Sequence, residues 1–279
     1  MSLFTLWLWP LVALVVLPAA LVYFGLHVVG RGIIFVDLAL AQIAALGIAT
    51  AVLLGADAEH GTMPYVLAIG FTIAGAALFS LTRFRHPRVP HEAIIGIIYI
   101  VAAAAATIVL SRTAAGDEEI KNLLVGNILL VSRGEVIRTA VLYLAVGAFH
   151  FALRRRFHLI SFEPEEAERL GINVRLWDFL FYATFGLVVT SFVRIAGVYL
   201  VFSYLIVPAV CGALLSARAA VRLGIGWAVA LTAGVTGLLL STEWQSMDLP
   251  TGPTIVCTFG LLLILSGALA FARTRAKAA

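Results

Sequence analysis

Apolar residues along the chain gather into nine runs, each close to the roughly 20 residues that an α-helix needs to cross the hydrocarbon core of a bilayer. The runs cover approximately Leu3–Leu26, Ile33–Leu54, Pro64–Thr82, Ala93–Ser111, Val136–Leu153, Leu176–Val193, Val198–Ser216, Leu223–Ser241 and Thr254–Phe271. Short polar or charged stretches separate them. The first run has no basic segment before it and stays apolar past Pro18, so it is expected to be a retained span rather than a cleaved signal. The pattern predicts an all-α polytopic membrane protein with eight to nine transmembrane helices, forming a single transmembrane domain over residues 1–279.

Composition excludes the alternatives. The 279 residues are 62% apolar and only 12% charged, too few charges to cover the exterior of a soluble domain of this size. The 24 glycines suit helices that approach closely in lipid. Cys211 and Cys257 both lie inside apolar runs and are expected to be small buried hydrophobes, neither a disulfide nor a metal pair.

Charge placement suggests an orientation, because cytoplasmic loops carry the excess of Lys and Arg. With the C-terminus inside and the N-terminus outside, fourteen of the nineteen basic residues fall on the inner side. The acids Asp57, Glu59, Asp117, Glu118, Glu119, Glu135, Glu243 and Asp248 gather on the other side. The net charge of +4 is thereby accounted for by topology, and no nucleic-acid partner is expected. Residues 117–132 hold an apolar stripe too short to span and are expected to form an external interfacial or re-entrant helix.

The largest inner loop, Arg154 to Arg175, reads RRRFHLISFEPEEAERLGINVR. Pro164 followed by Glu165 and Glu166 marks a helix start and Gly171 a helix stop. On residues alone this short acidic helix is either a solvated connector or a handle offered to a partner. No stretch matches G-x-x-x-x-G-K-[ST], H-E-x-x-H, a paired C-x-x-C or G-x-S-x-G, so the chain is expected not to be an enzyme and to take any ATP energy from another subunit.

Four stretches carry a resemblance: RGIIFVDLALAQIAALGIA at Arg31–Ala49, LLVGNILLVS at Leu123–Ser132, SFEPEEAERLGI at Ser161–Ile172 and LSTEWQSMDLPTGPTIV at Leu240–Val256. A fifth, GVYLVFSYLIVPA at Gly197–Ala209, adds an apolar run ending beside Pro208. In their order and spacing the chain resembles ABC-3 (zinc/manganese-type) permeases, subunits of ABC importers of zinc, manganese or iron. The resemblance implies a homodimer of permeases in the bacterial inner membrane, cytoplasmic ATPase subunits that bind ATP, and an extracytoplasmic metal-binding protein that delivers a divalent metal. Zinc is the first expectation, with manganese or iron as the alternative, and an ATP-independent secondary transporter as the reading from outside the class. The resemblance also implies that Glu163, Pro164, Glu165, Glu166, Ala167 and Gly171, within residues 161–172, form the coupling helix. Asp117, Glu118, Glu119, Glu243 and Asp248 would face the delivery protein, or serve as ordinary solubilising loop residues.

Metal contact is expected where ionisable groups enter the spans. Asp37 reads as the only acid deep in an apolar run, either a cation-attracting group on the path or a carboxylate that snorkels or pairs with a neighbouring helix. Many members of the family read D-x-x-x-H in the second span. Aligned on Gly47, this chain places Gln42 at the histidine position and Leu38 at the acid position. Asp37 and Gln42 are then about 140° apart around a helix and are not expected to chelate one ion together. His27, His86, His91 and His158 lie near inner ends or loops, His150 near the inner end of the fifth run and His60 in an outer loop. Without a midplane imidazole, no tight intramembrane zinc site is expected. His91-Glu92 reads as an inner exit site or as a helix start, and Asn127, Ser203 and Tyr204 as conduit-lining groups or interhelical hydrogen-bond partners.

Overall fold

The structure, a computed structural model, describes residues 3–56, 62–83, 89–113, 125–126, 128–243 and 249–278. Helices make up nearly all of them: α1 (Leu3–Arg31), α2 (Val36–Leu53), α3 (Thr62–Leu81), α4 (His91–Leu110), α5 (Arg133–Ala152), α6 (Arg154–Phe162), α7 (Pro164–Arg169), α8 (Val174–Leu215), α9 (Ala219–Glu243) and α10 (Thr251–Ala278). Eight of these are long and apolar enough to cross a membrane.

The difference from nine runs lies in α8. At 42 residues it is about twice what a bilayer requires, and it is broken at Gly197, where φ is 76° and ψ 168°. The sixth and seventh runs are its two halves. No polar loop is needed between them, because a single glycine in a left-handed conformation interrupts the hydrogen-bond ladder.

The chain divides into two compact units. One comprises residues 1–29, 125–143 and 195–279, the other 30–124 and 144–194. In the first, α9 packs against α10 at Gly237, where any added Cβ would meet the backbone of Ile255. Tyr204 in the second half of α8 sits edge-on to Phe259 of α10, ring centroids 4.8 Å apart. The 3-10 turn Ile128–Leu130 belongs here and precedes α5, with Ile128 buried and Leu130 exposed. It covers only the end of the predicted external helix, since residues 114–124 and 127 lie outside the described residues.

In the second unit α2 is the central helix. Of its residues 72% are buried, against 22% for α4, so α2 is shielded by protein while α4 keeps an apolar exterior for lipid. Small residues permit this. Gly47 lies against Ala68 of α3, and Ala44, Ile48 and Ala68 pack as one cluster. Thr72 of α3 and Thr190 of α8 share a hydrogen bond of 3.0 Å, so these two buried hydroxyls are satisfied between spans.

Two cysteines expected to be alike are not. Cys211 is buried, but Cys257 is exposed on α10, a spanning helix that buries only 22% of its apolar window within the protein.

Candidate functional site

The loop from Arg154 to Arg175 folds as two helices rather than one. α6 is held by Phe157, which stacks on His150 of α5 at 4.0 Å and meets the edge of Trp177 of α8 at 5.5 Å. His150 in turn shares a hydrogen bond of 2.8 Å with Thr184 Oγ1. Pro164 opens α7 at its first position, Glu165 and Glu166 fill the first turn, and Ala167 is the buried residue on its inner side. Gly171, with φ at 71°, stops it: the Gly171 amide donates to Glu168 O and the Ile172 amide to Ala167 O, each at 3.0 Å. Asn173 Oδ1 then accepts from the Leu176 amide at 3.2 Å and opens α8. α7 is a packed, acidic protrusion with Glu163, Glu165 and Glu168 exposed and with exposed Phe162, Leu170 and Leu176 around it.

A charged cluster missed by sequence reasoning lies beneath it. Asp178 in the first turns of α8 is fully buried and receives Arg31 Nη1 at 2.8 Å. Arg83 Nη1 reaches its two carboxylate oxygens at 2.7 and 2.6 Å. Asp37 is thus not the only acid buried at the start of a span. The available signal was Asp178 at the same predicted end of its run as Arg31 and Arg83.

Asp37, the second residue of α2, is also fully buried. Its carboxylate lies against the amides of its own turn, Asp37 and Leu38, and among the described residues no other group donates to it. Gln42 is buried on the same helix, which is unbroken between them, so the structure keeps their side chains apart in azimuth. α4 begins at His91, directly after Pro90. Glu92 Oε1 accepts from the Phe35 amide at 2.8 Å and so closes the start of α2. Ser203 is satisfied within its own helix, donating to Tyr199 O at 2.9 Å, and Tyr204 is buried beside Phe259. Both belong to the first unit, Asp37 and Gln42 to the second.

Asn127, Asp117, Glu118, Glu119 and Asp248, with His60 and His86, lie outside the described residues. Glu243 ends α9, but its side chain lies outside them too. Among the described residues no three His, Cys, Asp or Glu side chains form a metal-ligand set.

A family model described as the ABC 3 transport family matches residues 4–270. The chain belongs to that family. It is a multi-pass membrane permease subunit of an ABC transporter and not a catalytic one. Similar to the permease are the "Manganese transport system membrane protein MntC" of Listeria innocua, 24% identical over 77% of this chain and 79% of that one, and the "Chelated iron transport system membrane protein YfeD" of Yersinia pestis, 25% identical over 77% and 74%. In fold the permease matches the solved structure "PsaBC from Streptococcus pneumoniae in complex with Fab" with a TM-score of 0.78 and 22% identity, over 95% of this chain and 92% of that one. Family membership displaces the alternative of an ATP-independent secondary transporter.

Proposed function

We propose that the permease moves manganese inward, with ferrous iron as its second cargo, in place of the zinc first expected. What carries this reading is the chemistry of α2. Its buried polar groups, the Asp37 carboxylate and the Gln42 amide, offer oxygen donors, and Gln42 stands where many family members have histidine. Oxygen ligands suit manganese, whereas imidazole and thiolate favour zinc. Of the described histidines, His27 packs against Tyr23 and His150 against Phe157. The names of the Listeria and Yersinia relatives, manganese and chelated iron, support the same choice.

In this reading two permeases form the conduit in the bacterial inner membrane, with the N-terminus external and the C-terminus cytoplasmic. An extracytoplasmic protein delivers the metal. ATPase subunits grip α7, with Glu163, Pro164, Glu165, Glu166, Ala167 and Gly171 as the docking element, and push on it as they bind and hydrolyse ATP. Asp37 and Gln42 lie on the path, Ser203, Tyr204 and Asn127 line it further along, and His91 and Glu92 mark its inner exit. Asp117, Glu118, Glu119, Glu243 and Asp248 face the delivery protein.

The test is metal accumulation in cells carrying the permease with its ATPase. Mn2+ is expected to accumulate in preference to Zn2+, and Asp37→Ala to lower its uptake about tenfold or more. Preferential Zn2+ uptake would reverse the choice of metal, and unchanged uptake in Asp37→Ala would remove Asp37 from the path.

A further inference from the structure

Burying charge at the end of a membrane helix is unfavourable unless each group finds partners in good geometry, and a cluster satisfied in this way resists sliding. The Arg31 side chain is 3% exposed and its guanidinium makes three different contacts. Nη1 donates to Asp178 Oδ1 of α8 at 2.8 Å, Nε donates to Ser161 Oγ of α6 at 2.9 Å, and the flat face lies 3.7 Å from the centre of the Phe181 ring. Through Asp178 it also shares a carboxylate with Arg83, just past the end of α3. Only a rigid planar fork holds these groups together, which a lysine ammonium does not reproduce.

The cluster grips α7 from both sides. On the entry side, Ser161 and Phe162 end α6, and the Phe162 ring occupies the space where Gly30, next to Arg31, would carry a Cβ. On the exit side, the glycine stop at Gly171 and the Asn173 cap lead into the turn of α8 that bears Asp178. We infer that Arg31 is the positioning residue through which displacement of α7 reaches spanning helices α1, α3 and α8, so that its loss separates ATP hydrolysis from metal movement. The inference rests on the reading of α7 as the element the ATPase grips.

Two features make it testable in a folded protein. Arg83 remains on Asp178 when Arg31 is removed, so Arg31→Gln leaves no unpaired buried carboxylate. Ser161→Ala deletes one hydroxyl and leaves both ion pairs intact. The permease, its ATPase and the delivery protein are reconstituted in liposomes, and radiolabelled Mn2+ moved per ATP hydrolysed is measured beside the yield of assembled complex. Arg31→Gln and Arg31→Lys are expected to assemble and hydrolyse ATP but to lower the Mn2+ to ATP ratio about tenfold, and Ser161→Ala about threefold. An unchanged ratio in Arg31→Gln and Ser161→Ala overturns the inference. So does a parallel loss of complex, hydrolysis and transport, which would make Arg31 a structural tie alone. Failure of the wild-type complex to move Mn2+ while it hydrolyses ATP would instead sink the functional reading.

Discussion

Glu92 shows how a single residue acts outside its own helix. It sits in the first turn of α4, yet its carboxylate accepts the Phe35 amide and closes the start of α2, whose own N-terminal position carries no side-chain cap. Loss of such a cap costs about 1 kcal/mol. Glu92→Ala is therefore expected to lower the thermal midpoint of the detergent-solubilised permease by a few degrees, while Glu92→Gln, which keeps an acceptor oxygen, restores most of the loss. Equal midpoints for the two variants would assign the effect to charge rather than to the cap. That α4 starts at His91 was legible, since Pro90 and an acidic first turn are local signals. That the acid caps a different helix was not, because the two residues are 57 positions apart.

At the level of elements, positive-φ glycines mark where helices stop or break, Gly171 after α7 and Gly197 within α8. At Gly171 the space around a new Cβ is open, so Gly171→Ala meets backbone strain alone, on the order of 1–2 kcal/mol. Gly171→Asn is expected to be milder, because asparagine tolerates that conformation. Gly126 combines positive φ with a Cβ direction blocked by the backbone of Ala196 and Gly197, so Gly126→Ala is expected to destabilise more than Gly171→Ala. Denaturation midpoints of the three variants give the order, and a Gly126→Ala protein as stable as Gly171→Ala would contradict it. The break of α8 at Gly197 keeps the sixth and seventh apolar runs as two helical halves joined by a single glycine, with no polar loop between them. Hydropathy counts lengths of chain and saw both halves, whereas the continuity of the helix depends on one backbone torsion pair.

For the molecule as a whole, the exposed apolar faces of α4 and α10 and the acidic protrusion α7 make different demands. Ile264 is 69% exposed within α10. A charge there is expected to disfavour insertion by about 3 kcal/mol, so Ile264→Arg should reduce the amount of permease in the membrane fraction. Glu166→Arg, outside the spans, is expected to leave that amount unchanged and to lower ATP-driven metal uptake several-fold, read in the same cells. Normal uptake in Glu166→Arg would remove α7 from coupling.

The approximate placement of the apolar spans, the lack of a phosphate-binding loop and the short acidic helix after the fifth run were legible in the sequence, because apolar length, a phosphate-binding loop and a proline-to-glycine helix frame are properties of contiguous residues. The partners of the buried charges were decided only in three dimensions. Arg31 finds Ser161 and Asp178 at separations of 130 and 147 residues, and Arg83 finds Asp178 at 95. Such pairings follow from which helix ends the packing of small residues brings together, a choice that no local pattern encodes.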